Sequence, residues 1–116
     1  MIDLTVTYLD LKVKFLRGFA DRTRLAILET LRQGEKSVGE LVAATGASQS
    51  NVSQHLACLK GCGIVHSRQE GRFSYYSLRD SEIAAFMAQA DRILGARLQE
   101  ILDCPETDRL IGEIHK

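Results

Sequence analysis

Three cysteines are the residues of this chain best suited to chemistry. Cys58 and Cys62 lie four apart, a spacing that in a helix puts both side chains on one face with Cβ atoms ~5–6 Å apart. Two thiolates so placed can share one ion. Cys104, next to Pro105 and therefore at a helix end, is placed to close over the pair as a third sulfur. Three thiolates make a soft, anionic site that prefers soft ions to magnesium, calcium or manganese, while zinc wants a fourth ligand. Arsenite also takes three sulfurs. The same residues have other uses: a free cysteine packs as a small hydrophobe, and a redox sensor needs a thiol of lowered pKa. The redox use is disfavoured because Cys58 and Cys62 fall toward the negative end of their helix, with Lys60 the one cation expected nearby. A thiol enzyme fits least, since no histidine or acid stands at motif spacing from any cysteine and no phosphate-cradling glycine loop is present.

A second group is the polar run Ser48 to His55, which opens the helix that carries Cys58. Short polar side chains are poor helix formers and poor core, yet Gln and Asn bond adenine edges bidentately and Ser reaches bases or phosphates. Gln49, Ser50, Asn51, Ser53 and Gln54 are therefore the expected DNA-reading set. His55 joins them as a phosphate-contacting or helix-packing residue rather than a metal ligand. Arg68 and Arg72, further on, are placed to reach phosphates or the minor groove, although two arginines at a hairpin are also ordinary surface. The plain alternative for the polar run is a solvated, well-capped helix face.

Those groups need elements to hold them. Apolar spacing predicts a helix over Tyr8 to Phe19 and another over Arg22 to Arg32, capped by Asp21, stopped near Gly34, and turning Leu25, Ile27, Leu28 and Leu31 inward. Ser37 with Glu40 forms a capping box for a short helix to about Ala44. The turn Thr45-Gly46-Ala47 ends it, and Ser48 caps a helix from Gln49 to about Cys62 with Val52, Leu56 and Leu59 on its inner face. Runs rich in β-formers, Ile64 to Gln69 and Phe73 to Leu78, flank Glu70-Gly71-Arg72 and predict a hairpin. One long helix is expected from Asp80 to about Cys104, with Ile83, Phe86, Met87, Ala90, Ile93, Leu94, Leu98, Ile101 and Leu102 on one stripe. Glu106 to Ile114 can form a last short helix. A short helix, a glycine turn, a second helix and then a hairpin is the order of a winged helix-turn-helix, a mainly α fold with a β wing.

Composition agrees. The 116 residues are 45% hydrophobic and 26% charged, the balance of one globular domain over 1–116, with about 37–62 as helix-turn-helix, 64–78 as wing and 80–104 as a dimerisation helix and tail. No apolar run approaches the ~20 residues of a membrane helix, and Asp3, Asp10, Lys12 and Lys14 interrupt any secretory signal, so a cytoplasmic location is expected. A reducing compartment and an odd cysteine count both disfavour structural disulfides. The formal net charge of zero divides unevenly: ten Lys/Arg against seven Asp/Glu in residues 1–76, five against eight in 77–116.

Three segments in order resemble the ArsR/SmtB family of repressors: FADRTRLAILETL (Phe19 to Leu31), SQSNVSQHLACLKGCGIV (Ser48 to Val65) and the wing EGRFSYYSL (Glu70 to Leu78). The similarity covers about residues 15–102. It implies a homodimer built on the first and last long helices, bound to palindromic double-stranded operator DNA and released by an inducer. CLKGC with a tail cysteine resembles the CmtR-type branch of that family, which implies cadmium or lead as the inducer, with an arsenite-, redox- or metabolite-responsive repressor of the same fold as the alternative. The sequence departs from the family's other sites, since Val38 to Ala44 holds no cysteine and Ile93 stands two residues after Asp91 where a histidine is expected.

Overall fold

The computed structural model describes residues 5–114, which fall into two compact units that meet between Asp80 and Ser81 in the chain. The first unit carries α1 (Tyr8–Ala20), α2 (Arg22–Leu31), β1 (Lys36–Ser37), α3 (Val38–Thr45), α4 (Gln49–Gly61), β2 (Val65–Glu70) and β3 (Phe73–Leu78). Each start has a local cause. Thr7 and Asp10 form a capping box on α1, the Asp21 carboxylate accepts from the Arg24 amide at 3.0 Å on α2, and Ser37 and Glu40 box α3. The Ser48 hydroxyl accepts from the Asn51 amide to open α4. Between α3 and α4 the backbone turns at Gly46, whose φ of 73° is left-handed and suits a residue without Cβ. The helix-turn-helix expected from sequence is thus present with its expected caps.

The core of this unit is made where α2, α3 and α4 meet the sheet. Ile27, Leu28, Leu41, Val52, Leu56, Leu59, Ile64 and Val65 are fully buried, and burial of each such side chain is worth about 1.5–3 kcal/mol. Leu25 is not among them; it is 39% exposed, because an inward stripe on a helix of three turns is narrower than the apolar spacing suggests. α1 approaches so closely that a Cβ on Gly18 would meet Ile64 Cδ1 at 2.5 Å, so glycine there sets the seat of α1 on the end of α4. The outer face of α1 is apolar and open: Tyr8, Leu9, Leu11, Val13 and Leu16 are all at least 40% exposed.

The hairpin is antiparallel, with Val65 opposite Leu78 and Glu70 opposite Phe73, closed by the two-residue turn Gly71-Arg72. Gly71 has a φ of 61° at the first turn position, the requirement of a type II′ hairpin turn. The sheet has a third strand that sequence reasoning missed: β1 pairs with β3, Lys36 opposite Tyr76, so β3 is central.

The second unit corrects the expected single long helix. α5 (Ser81–Ala96) ends and α6 (Leu98–Asp103) begins across Arg97, whose φ of −120° and ψ of 14° lie outside the helical region. Gly95, a weak helix former, lies two residues before the break. α6 stops at Cys104, and α7 (Thr107–Ile114) follows after Pro105. Ile83 and Met87 are buried, whereas Phe86, Ile93, Leu94, Leu98, Ile101 and Leu102 are 42–58% exposed. No helix among the described residues is long and apolar enough to cross a membrane.

Candidate nucleic-acid interface and thiol site

α4 carries both groups singled out in the sequence. Its capped N-terminal half presents Gln49, Ser50, Asn51, Ser53 and Gln54 to solvent, while Val52, Leu56 and Leu59 anchor it in the core. Exposed polar side chains on a rigidly seated helix, at its positive end, are the arrangement that enters a major groove.

His55 differs from its neighbours. It turns inward and is 18% exposed; its Nδ1 accepts a hydrogen bond from Arg24 Nε at 3.0 Å, and its Nε2 lies 3.8 Å from Asp21 Oδ2. Of the two roles open to His55 from sequence, packing is the one it fills in the structure.

The two wing arginines also part ways. Arg68 is gripped by Glu35, whose Oε1 and Oε2 take Nη2 at 2.7 Å and Nε at 2.9 Å; it also binds Glu70 at 2.6 Å and stacks on Tyr75 at 4.8 Å. Its guanidinium fastens the wing to the loop before β1 instead of standing free for a phosphate. Arg68 in turn holds the Glu35 carboxyl below its ordinary value. Glu35 was invisible in the sequence because the pair spans 33 residues. Arg72 is exposed at the turn, with no ion pair among the described residues. It lines a cleft of about 410 Å³ with Gln49 of α4 and Ser37, Val38 and Gly39 at the start of α3.

At the other end of α4, Cys58 and Cys62 are half-buried free thiols one turn apart, with Cys62 as the C-cap. Burial pushes the Cys62 thiol up from its ordinary value, the neighbouring Cys58 adds to the rise, and the charges of Lys14 and Arg24 oppose it. Those two are the cations that act on Cys62. Lys60, the expected one, instead donates to Ser67 Oγ at 2.9 Å. Cys58 opens onto a cleft of about 460 Å³ lined by Asp10, Val13, Lys14 and Arg17 of α1 and Arg24 of α2. Cys62 opens onto a smaller one beside Leu11, Lys14 and Phe15. Cys104 is exposed at the end of α6, its backbone extended at φ −65° and ψ 129°. Among the described residues of one chain, no three His, Cys, Asp or Glu side chains gather closely enough to hold a metal ion. The structure therefore brings together two of the three predicted sulfurs.

Residues 21–67, from the cap of α2 to the middle of β2, match the family described as bacterial regulatory protein, arsR family. The chain is also 38% identical over 111 residues to a probable mercury resistance operon repressor of Streptomyces lividans, covering 96% of this chain and 86% of that one. It belongs to the arsR family. Another member, the HTH-type transcriptional regulator CmtR of Mycobacterium tuberculosis, is 44% identical over 86 residues, 74% of this chain and 67% of that protein. The solved structure of that cadmium metal-sensor superposes with a TM-score of 0.58 at 43% identity, covering 66% of this chain and 80% of that one. A homodimeric winged helix-turn-helix domain of Mycobacterium bovis, a possible ArsR-family regulator, superposes with a TM-score of 0.74 at 30% identity over 86% of this chain and 93% of that one. This arsR-family member is accordingly a DNA-binding transcriptional regulator, and its fold is the winged helix-turn-helix.

Proposed function

We propose that this regulator is a homodimeric repressor that leaves its operator when a soft metal ion, cadmium or lead, is bound by the thiolates of Cys58, Cys62 and Cys104. The observation that carries the reading is the pair of half-buried thiols one turn apart at the far end of the helix that reads DNA. A metal ion deprotonates its thiol ligands outright, so a raised Cys62 pKa is no obstacle to it, whereas oxidant sensing relies on a thiolate already present. Two relatives are named for soft metals, one as a cadmium sensor and one for mercury resistance. Cys104 supplies the third sulfur from an extended, exposed position where it has room to move.

Operator contact falls to Gln49, Ser50, Asn51, Ser53 and Gln54 for bases and to Arg72 for phosphate, while His55 and Arg68 act by holding α4 and the wing in place. The open apolar faces of α1 and of α5–α6 are the surfaces that a second copy covers, and a relative of the same fold is homodimeric. The cytoplasm, where thiols stay reduced and DNA is at hand, is the setting such a protein needs.

Cadmium titration of the reduced dimer tests the assignment. The expected result is an ultraviolet thiolate-to-metal charge-transfer band, lost in Cys58→Ser and Cys62→Ser and weakened in Cys104→Ser, with operator release following the same titration. Mercury, lead and arsenite titrations rank the ions. A band and a release that survive both Cys58→Ser and Cys62→Ser would overturn the reading.

A further inference from the structure

We infer that Phe73 is an operator-contacting residue whose ring packs on the deoxyribose backbone beside Arg72, an inference that rests on the reading of Gln49 and Arg72 as operator contacts. It gives the wing an apolar grip on DNA that salt does not screen. A single exposed ring means little on a protein surface, so what surrounds it decides. Phe73 is the first residue of β3, directly after the Gly71-Arg72 turn, and is 61% exposed. Pairing of Arg68 with Tyr75 and of Glu70 with Phe73 puts these four side chains on one face of the hairpin. On that face the charges are already matched. Arg68 takes the Glu70 carboxylate at 2.6 Å and Glu35 at 2.7 Å, and its guanidinium lies 4.8 Å from the centre of the Tyr75 ring. The Tyr75 ring is in turn 6.4 Å from that of Phe73, tilted by 47°. Phe73 is therefore backed by a pinned ladder on one side and open on the other, and the Glu70 charge is met before a phosphate approaches.

The sheet edge settles what the ring faces. β1 pairs only with Tyr75 and Tyr76 of β3, so the Phe73–Ser74 end of that strand runs past it and, with Arg72, walls the cleft of about 410 Å³. Opposite stand Gln49, the first residue of the DNA-reading helix, and Val38 and Gly39 in the first turn of α3. Both helices thus bring their positive ends to the cleft, which favours a phosphodiester there. A DNA strand offers two chemistries in alternation, charged phosphates and apolar sugar rings, and the cleft answers both: Arg72 the first, Phe73 the second. A protein partner is disfavoured, because it would cover Gln49 and Arg72, which operator binding occupies. The two contacts differ in one measurable respect. A cation that neutralises a phosphate releases counterions, whereas an apolar ring that leaves water releases none.

Operator affinity of the full chain, measured without metal over a range of salt concentrations, tests the assignment in wild type, Phe73→Ala, Phe73→Leu and Arg72→Ala. A melting curve for each variant excludes loss of fold. Phe73→Ala is expected to bind operator about five- to tenfold more weakly at every salt concentration, the scale of covering half an aromatic side chain, with the slope of log affinity against log salt unchanged. Phe73→Leu, which stays apolar, should recover most of that loss. Arg72→Ala should instead flatten the slope. Wild-type affinity in Phe73→Ala would overturn the inference. So would a slope that flattens as far as in Arg72→Ala, since the ring would then act only by holding the turn, or a loss that Phe73→Leu does not recover. An unchanged slope in Arg72→Ala beside the expected loss in Phe73→Ala would remove Arg72 from the operator contacts and leave the contact of the ring standing.

Discussion

The two halves of α4 share one helix and one hydrophobic anchor yet carry opposite chemistry. Ser48, Gln49, Ser50, Asn51, Ser53 and Gln54 are polar and exposed, and the half ends on a clamped histidine. Cys58 and Cys62 in the other half are half-buried sulfurs facing clefts walled by α1 and α2. Val52, Leu56 and Leu59, all fully buried, tie the halves into one rigid rod. A ligand bound at one end would act on the same helix that carries the other, with no long pathway between them. The contrast also separates what each residue should do when changed: the first half should alter which DNA is bound, the second whether binding responds to metal.

The sharpest way to break this contrast is Gln54→Ala. Loss of one bidentate base contact should cost ~1–3 kcal/mol of discrimination at a single operator position, read as flattened preference in a binding-site selection, with cadmium uptake unchanged. If cadmium uptake falls with it, the halves are not separate. A smaller and sequence-independent effect is expected of Arg72→Ala, which should weaken all sequences alike and reduce the slope of log affinity against log salt by about 0.9. An unchanged slope removes Arg72 from the phosphate contacts, whereas Arg68→Ala, whose charge is already met by Glu35 and Glu70, should alter the slope less and the stability of the wing more.

The smallest effect concerns that wing anchor and its pH dependence. Arg68 holds the folded-state pKa of Glu35 below its ordinary value, so its contribution is complete above the unfolded carboxyl pKa and is lost as pH falls through the lowered folded value. Thermal melts of wild type and Glu35→Gln should therefore differ slightly at neutral pH and converge in acid. A difference that grows as pH falls would contradict the assignment.

How much of this was legible follows from the reach of each interaction. Caps and turns act over three or four residues, so Asp21, Ser37 with Glu40, Gly46 and Ser48 were readable in place, and the inner face of α4 was readable from its period. The Thr7 and Asp10 box on α1 has the same short reach and is legible in the same way. β1 is two residues long and has no periodicity to read. The break at Arg97 interrupts an apolar stripe that continues on both sides, so the stripe alone predicts one helix. The contacts that decide the site, Arg24 with His55 and Glu35 with Arg68, span 31 and 33 residues and appear only once the chain has folded. For that reason the sequence could name the sulfurs and the polar run while misassigning the cations, Lys60 in place of Lys14 and Arg24.

Cadmium affinity measured with and without saturating operator DNA tests the central claim most directly. Because coupling between two ligands is reciprocal, operator should weaken cadmium binding by the same factor by which cadmium weakens operator binding, on the order of 5–150-fold. Equal cadmium affinity in the two conditions would show that the sulfurs and the base-reading residues of α4 do not communicate, and the account would fail.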